Sequence, residues 1–460
     1  MVKYKKSLKW QNILLLVASY YFYSCWDWRF VFLLAFSTGL DYFSGIAIYE
    51  SNTKIKKKLW LLASVGFNLG FLGFFKYYNF FIESFIVLLK NFGFQPHYST
   101  LRIILPVGIS FYTFHGLSYV FDIYYNRIKP SYNWVNYTLF VCFFPLLVAG
   151  PIERATHLLP QIERPRQFDY NKLVDGLRQI LWGFFKKVVI ADNCAEFANQ
   201  IFNDVGNQSG SNLVLGALFF TFQIYGDFSG YSDIALGSAR LLGIELLKNF
   251  NFPYFSRDIA EFWRRWHISL SSWFRDYLYI PLGGSKGGNW MRIRNTFIIF
   301  IVSGFWHGAN WTFIFWGGIN ALFIMPSIIM KTNRDNISIV AQGKMLPNVK
   351  EFFQLTSTFM LAMFCWIFFR ANSLQHAFDY ITNMLNWSLF TFPSIFPKAI
   401  LLLLVFFILI EWIGRENNYA IEKIGLKKHR FIRWMFYAFL LFLIGMFMQT
   451  NETPFIYFQF

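Results

Sequence analysis

Apolar runs recur along the whole chain, at about 11–35, 37–48, 59–90, 103–125, 134–150, 177–191, 212–225, 296–312, 313–330, 354–370, 398–414 and 432–449. Since about 20 apolar residues in helical conformation cross a bilayer, this pattern predicts an all-α polytopic membrane protein with about ten to twelve transmembrane helices, not all of full spanning length. Two longer polar stretches interrupt it. The stretch 331–351 carries Lys331, Arg334, Asp335, Lys344 and Lys350 and reads as a solvated loop. The stretch 246–295 interleaves Trp263, Trp266, Trp273, Tyr277 and Tyr279 with Arg257, Glu261, Arg264, Arg265, His267 and Arg275. That mixture predicts re-entrant or interfacial amphipathic helices. With no internal repeat and no low-complexity linker, residues 1–460 read as a single membrane domain.

Composition sharpens the membrane reading. Hydrophobic residues make up 55% of the chain and charged residues 15%, against roughly 25% charge in soluble domains. Aromatic residues reach 22%, more than a soluble core of this length needs, whereas helices facing lipid and each other can use them.

The net charge of +17 would suit nucleic acid, but its distribution does not. Basic residues sit in short runs between apolar segments: Lys3, Lys5, Lys6 and Lys9; then Lys54, Lys56, Lys57 and Lys58; then Arg127 and Lys129. This is the bias of cytoplasmic loops meeting anionic membrane lipids, and no nucleic-acid partner is expected. A basic start, a turn at Trp26-Asp27-Trp28-Arg29 and the basic loop at 54–58 fit two crossings with both ends cytoplasmic. The segment 59–90 then leads outward and 103–125 returns. The N-terminus is thus expected in the cytoplasm, on a retained first helix rather than a cleaved leader. Cys25, Cys142, Cys194 and Cys365 lie far apart and read as small buried hydrophobes; no cluster has metal-ligand spacing, so no metal is expected.

Polar groups at membrane depth are costly and mark candidate sites. His307 lies in Ser303-Gly304-Phe305-Trp306-His307-Gly308-Ala309-Asn310-Trp311, inside an apolar run. A histidine packed on a neighbouring helix's carbonyl and a general base are both compatible with that setting. The flanking glycines allow a substrate or a backbone to approach closely, and the indoles of Trp306 and Trp311 suit a dry cavity. Trp306 and Asn310 are therefore candidate contacts of whatever His307 acts on.

His267 follows Trp263-Arg264-Arg265-Trp266. Arginine binds phosphate groups bidentately, which makes Arg264 and Arg265 candidates for a nucleotide or phosphopantetheine donor; headgroup contact is the alternative. Tyr225-Gly226-Asp227-Phe228-Ser229-Gly230-Tyr231-Ser232-Asp233 places two carboxylates and two hydroxyls after an apolar helix. Asp227 and Ser229 are candidate donor or substrate contacts. The competing reading is a segment broken at its glycines, whose carboxylates pair with the Arg-rich stretch. Residues 283–288 read as a flexible glycine turn without P-loop spacing. No serine sits in a G-x-S-x-G elbow, so a hydrolase-type nucleophile is not expected.

Together these residues form a recognisable text. YGDFSGYSDIALGSARLLGIEL, NFNFPYFSRDIAEFWRRWHISLSSWFRDYLYIPLGG and RNTFIIFIVSGFWHGANWTFIFWGG resemble the membrane-bound O-acyltransferase family, in the branch of alginate O-acetylation and peptidoglycan O-acetyltransferases. LPVGISFYTFHGLSYVFDIYYNR (105–127), FFPLLVAGPIERATHLLPQI (143–162), WIFFRAN (366–372) and FIYFQF (455–460) extend the resemblance over nearly the whole chain, with a catalytic core at about 105–322.

The resemblance implies that His307, in the WHG motif, is catalytic and that His267, in RRWHISLS, is the second family histidine. It implies a ring of helices around a thinner centre, entry of an acyl donor from the cytoplasm, and exit of the acyl group on the outer face. A separate SGNH-type extracytoplasmic transferase would finish delivery to a polysaccharide, which suits the missing serine elbow. His115, where a non-ionisable residue is expected, departs from the pattern and reads as structural.

The expected activity is transfer of an acyl group, acetyl in the leading reading, from acetyl-CoA or another acyl thioester to an extracytoplasmic polysaccharide such as alginate or a cell-wall glycan. No bound cofactor is expected, and the setting is a bacterial cell membrane. A transporter using buried His and Asp as a proton relay is the competing class, and the absence of repeats counts against it.

Overall fold

The computed structural model describes residues 2–94, 103–426, 429–449 and 455. The side chains of Lys3, Lys5 and Lys6, and all of the terminal FIYFQF except Phe455, lie outside the described residues. Among the described residues there are helices and loops but no strand. The chain divides into two compact units, Met1–Asp169 with Leu242–Leu247, and Tyr170–Leu241 with Lys248–Phe460.

The first unit holds α1 (Val2–Asp27), α2 (Arg29–Glu50), α3 (Lys54–Asn91), α4 (Ile109–Tyr124), α5 (Trp134–Cys142), α6 (Phe144–Leu147) and α7 (Ala155–Ile162). The break between α1 and α2 falls at Trp28, where Asp27 and Arg29 pair at 2.5 Å. α3 is one uninterrupted helix about 57 Å long at 1.5 Å per residue.

The helices of this unit turn polar residues inward. α2 buries Ser37, Thr38, Asp41, Ser44 and Gly45 along one face, while Phe32, Phe36 and Phe43 are exposed. Asp41 Oδ1 accepts from Ser64 Oγ at 2.6 Å and from Asn68 Nδ2 at 2.8 Å. Gly116 of α4 is required there, because a Cβ would overlap the Asp41 carboxylate. Small and polar contacts inside with apolar side chains outside are the packing of helices in lipid. His115 is wholly buried in α4 with Nδ1 3.4 Å from the Val141 carbonyl, in keeping with a structural role. The strand-like stretch 242–247 is held through Gln161, which exchanges two hydrogen bonds with Glu245, and through Glu153, which accepts from Leu247 N.

The second unit begins with α8 (Tyr170–Phe184), which runs through a π-helical segment (Phe185–Ala191) into α9 (Asp192–Phe202). There follow α10 (Gly210–Leu241), α11 (Ile259–Arg265), α12 (Ile268–Phe274), α13 (Gly288–His307), α14 (Trp311–Ile329), α15 (Val349–Arg370), α16 (Leu374–Met384), α17 (Lys398–Gly414) and α18 (Arg430–Phe447). α10 is the central post, with almost every residue from Phe219 to Gly230 buried.

The segment Tyr225–Asp233 lies within α10 and is not broken at its glycines. Those glycines serve approach instead. A Cβ on Gly226 would sit 2.9 Å from the Lys186 carbonyl oxygen, and one on Gly230 2.8 Å from that of Gly183. Nor do its carboxylates reach the arginines. Asp233 pairs with Lys186 at 2.5 Å and Asp227 with Lys187 at 2.6 Å, both lysines standing on the π-helical segment. The same seam buries Glu411, which accepts from Tyr225 Oη at 2.6 Å and Trp182 Nε1 at 3.0 Å.

Within this unit residues 248–295 form α11, α12, a 3-10 turn (Pro253–Phe255), a π-helical turn (Arg275–Tyr279) and the start of α13, with Trp266, His267 and Trp273 buried; Leu246 and Leu247 belong to the first unit. The loop after α14 is mostly exposed, but Val340 and Ala341 are buried and their carbonyls accept from Arg415. Cys142, Cys194 and Cys365 are buried, whereas Cys25 is exposed; its place on an outward face of α1 is as compatible with lipid as with a core.

Among the described residues, six helices meet both the length and the apolarity that a crossing needs: α2, α3, α10, α14, α15 and α18. The runs at 134–150 and 177–191 are a nine-residue helix with a short turn and part of the α8–α9 rod.

Candidate active site

α13 and α14 form a hairpin whose backbones touch. A Cβ at Gly304 would overlap the Phe313 carbonyl, and one at Gly317 the Phe300 carbonyl. Gly308 is likewise filled by the Phe313 ring, so here the glycines admit neighbouring protein. Asn310 starts α14, its Oδ1 accepting from Thr312 N at 3.0 Å while its Nδ2 donates to the Asn372 carbonyl at 3.0 Å. This close hairpin fixes His307, the last residue of α13, among aromatic rings. Its imidazole lies 5.2 Å from Trp316 and 5.2 Å from Phe369, both edge-on, and 4.9 Å from Trp306.

His267 arrives from another direction. It caps α12 in a left-handed conformation, φ 43°, which non-glycine residues adopt uncommonly. Its ring packs 4.6 Å from Phe228 and 6.1 Å from Trp306, so Trp306 touches both imidazoles. Burial pushes the His267 imidazole down to about 3, keeping it neutral at physiological pH.

Both histidines line one cavity of about 560 Å³. Trp263, Phe300, Ile299 and Leu270 form apolar wall, and Ser303, one turn before His307, adds a hydroxyl. Arg264, Arg275, Arg292, Lys331 and Arg334 line the same cavity. Arg264 donates to the carbonyls of Asn333 at 2.6 Å and Asn336 at 2.9 Å, and Arg292 to that of Ser285 at 3.3 Å. The chemistry available is therefore an aromatic-walled space with two imidazoles and a cationic lining suited to phosphate.

The other sequence candidates divide. Arg265 turns from the cavity to the buried Glu261 at 2.7 Å, which also holds Arg257 at 3.0 Å. Trp306 is buried between the histidines, and Asn310 caps a helix. Asp227 belongs to the lysine seam, and Ser229 lines a separate pocket of about 20 Å³ with Lys186, Asp233, Lys248, Asn249 and Glu411. Sequence reasoning passed over Arg275, Arg292, Lys331 and Arg334 as site residues. Their signal was a cation cluster at both ends of the α13–α14 hairpin, visible as charge but not as a shared cavity. Asn249, whose side chain meets His267 at 2.9 Å, gave no sequence signal, because 18 residues separate the two.

The family model of MBOAT, the membrane-bound O-acyltransferase family, matches residues 124–365. The chain is similar to the probable alginate O-acetylase AlgI of Pseudomonas aeruginosa, with 39% identity over 84% of this chain and 71% of that protein. It is 37% identical to the probable alginate O-acetylase AlgI of Azotobacter vinelandii over 92% of this chain and 84% of that protein. With the peptidoglycan O-acetyltransferase of Helicobacter pylori it shares 35% identity over 83% of this chain and 75% of the relative.

Proposed function

The chain belongs to the membrane-bound O-acyltransferase family, and on that premise we propose that its histidine cavity transfers an acetyl group from a cytoplasmic thioester toward an extracytoplasmic polysaccharide. The protein is a multi-pass membrane O-acyltransferase. The observation that carries the finer reading is the meeting of His307, His267 and a cationic lining in one cavity of about 560 Å³.

His307 acts as general base. It takes the proton of an acceptor hydroxyl or thiol as that oxygen or sulfur attacks the thioester carbonyl. The carbon–sulfur bond then breaks, and the same proton passes to the departing thiolate. His267 lines the path and positions a reactant. Arg264 and its neighbouring cations bind donor phosphates, which fits acetyl-CoA or another phosphate-bearing acyl thioester. The aromatic walls exclude water, so the activated donor meets the acceptor rather than hydrolysing.

The acceptor is a polysaccharide, alginate-like or of the cell wall, as the relatives' names suggest. An SGNH-type transferase outside the membrane completes delivery. The protein sits in a bacterial cell membrane with its N-terminus in the cytoplasm. The test is the appearance of labelled acetyl on exported glycan in membranes carrying wild type or His307→Ala. Loss of label with normal expression supports the assignment, and undiminished label overturns it.

A further inference from the structure

The imidazole of His267 has one ring nitrogen committed and one not. Nδ1 lies 2.9 Å from Asn249 Oδ1, while Nε2 is buried with no hydrogen-bond partner among the described residues. The identity of the Asn249 atom decides the tautomer. The backbone N–H of Ser269 donates to it at 3.3 Å, and the Ser269 hydroxyl at 2.9 Å. A backbone N–H can only donate, so the atom that receives it is the amide oxygen and not the amide nitrogen. An amide oxygen only accepts, so His267 must bring hydrogen on Nδ1. In the neutral ring the lone pair then stands on Nε2.

The surroundings hold this arrangement in place. The Asn249 carbonyl accepts from Ile268 N at 2.9 Å, clamping the two chain segments together. The left-handed backbone at His267 turns the ring toward Asn249, and Phe228 stands edge-on against its face. Asn249 also lines the small pocket shared with Asp233 and Glu411, where its amide nitrogen is buried with no hydrogen-bond partner among the described residues. A buried acceptor without a partner is costly, and such a cost persists where a bound molecule supplies the missing donor.

The geometry points to Asn249 as a positioning residue for His267: its amide oxygen fixes the ring with hydrogen on Nδ1 and leaves the Nε2 lone pair to accept from the hydroxyl or thiol of a bound reactant. No proton is transferred in this step: His267 holds the O–H or S–H group in the cavity, and the group then turns its one hydrogen from Nε2 to His307, which removes it. The inference rests on the acyl-transfer reading of the cavity, since it assigns the two histidines different parts in that reaction. Burial of the His267 ring, which holds it neutral, agrees with an acceptor.

The test is the ¹⁵N spectrum of the full-length protein labelled at histidine in lipid nanodiscs, with the His267 signals identified by their loss in His267→Gln. A pyrrole-type Nδ1 and a pyridine-type Nε2 are expected at neutral pH; hydrogen on Nε2, or a doubly protonated ring, overturns the proposal. Function gives a second reading. Asn249→Asp keeps an acceptor but adds negative charge, so the ring protonates at higher pH and the acid limb of kcat moves upward. Asn249→Leu removes the acceptor and lowers kcat by about a hundredfold, the scale of a misplaced reacting group, without moving that limb upward. Identical pH profiles for wild type, Asn249→Asp and Asn249→Leu would count against the proposal. Should acetylation survive His307→Ala while Nδ1 carries the hydrogen, the assignment of His307 as base falls and the tautomer assignment stands. The opposite pair of results overturns the tautomer assignment alone.

Discussion

The second unit contains two charge-rich regions, and they treat charge in opposite ways. Along the seam between α8 and α10 every named cation meets a carboxylate: Lys186 meets Asp233, and Lys187 meets both Asp227 and Asp192. In the histidine cavity, among the described residues, no ion pair joins Arg264, Arg292, Lys331 or Arg334 to a carboxylate. Arg264 and Arg292 donate to backbone carbonyls instead. In a membrane protein the paired charges are framework, and on the proposed reading the cations without a carboxylate are the ones that receive the donor's phosphates. The same contrast separates two adjacent residues: Arg265 is neutralised by Glu261 and Arg264 is not.

This comparison breaks most sharply at His307. His307→Ala should lower acetyl transfer by roughly 10²- to 10⁴-fold, the usual worth of a positioned base, while the thermal midpoint in nanodiscs stays near wild type. Equal losses of fold and activity would make His307 part of the framework.

On the seam the expected loss is of stability. Asp233→Ala leaves Lys186 buried and unpaired and should cost about 3–5 kcal/mol, seen as a lower midpoint of unfolding. The protein that remains folded should keep the wild-type KM for donor.

The third effect contrasts neighbours. Arg264→Ala should raise the donor KM about tenfold with little change in kcat, as loss of a uniform binding contact does. Arg265→Ala should instead lower the midpoint by leaving Glu261 with less of its charge satisfied. A matching KM change in both would dissolve the distinction between them.

The smallest effect is a pH dependence. The folded His267 imidazole binds its proton only near pH 3, whereas the unfolded one does so near pH 6.5. The unfolded state therefore holds more protons below about pH 6.5, and stability falls as pH drops from there toward 3. His267→Gln should flatten that part of the midpoint-against-pH curve, and an unchanged slope would place the titration elsewhere.

Much of this molecule was legible in its sequence. The helices follow the apolar runs closely, and the WHG and RRWH motifs carried both histidines that share the cavity. What escaped depends on facing rather than composition. Gly226 and Gly230 look like breaks in a linear text but serve close contact inside a continuous helix. Whether Asp227 meets lysine or arginine depends on how two helices align, which neither helix encodes alone. Arg264 and Arg265 differ by about 100° around one helix, enough to send one to the cavity and the other to Glu261. Asn249 became visible only once the left-handed turn at His267 had folded its segment back.

The π-helical segment Phe185–Ala191 has one more consequence. A widened turn of this kind amounts to one residue slipped into an α-helical rod. It makes the rod a register device: the lysines are set against α10, while α9 beyond keeps its own rotational phase. Deleting one residue from 185–191 would return an ordinary α-helix with α9 close to its present phase, because the widened turn already absorbs the extra residue. Asn193 would keep the Phe447 carbonyl it reaches at 3.0 Å. Such a deletion would instead disturb the setting of Lys186 and Lys187 against Asp233 and Asp227.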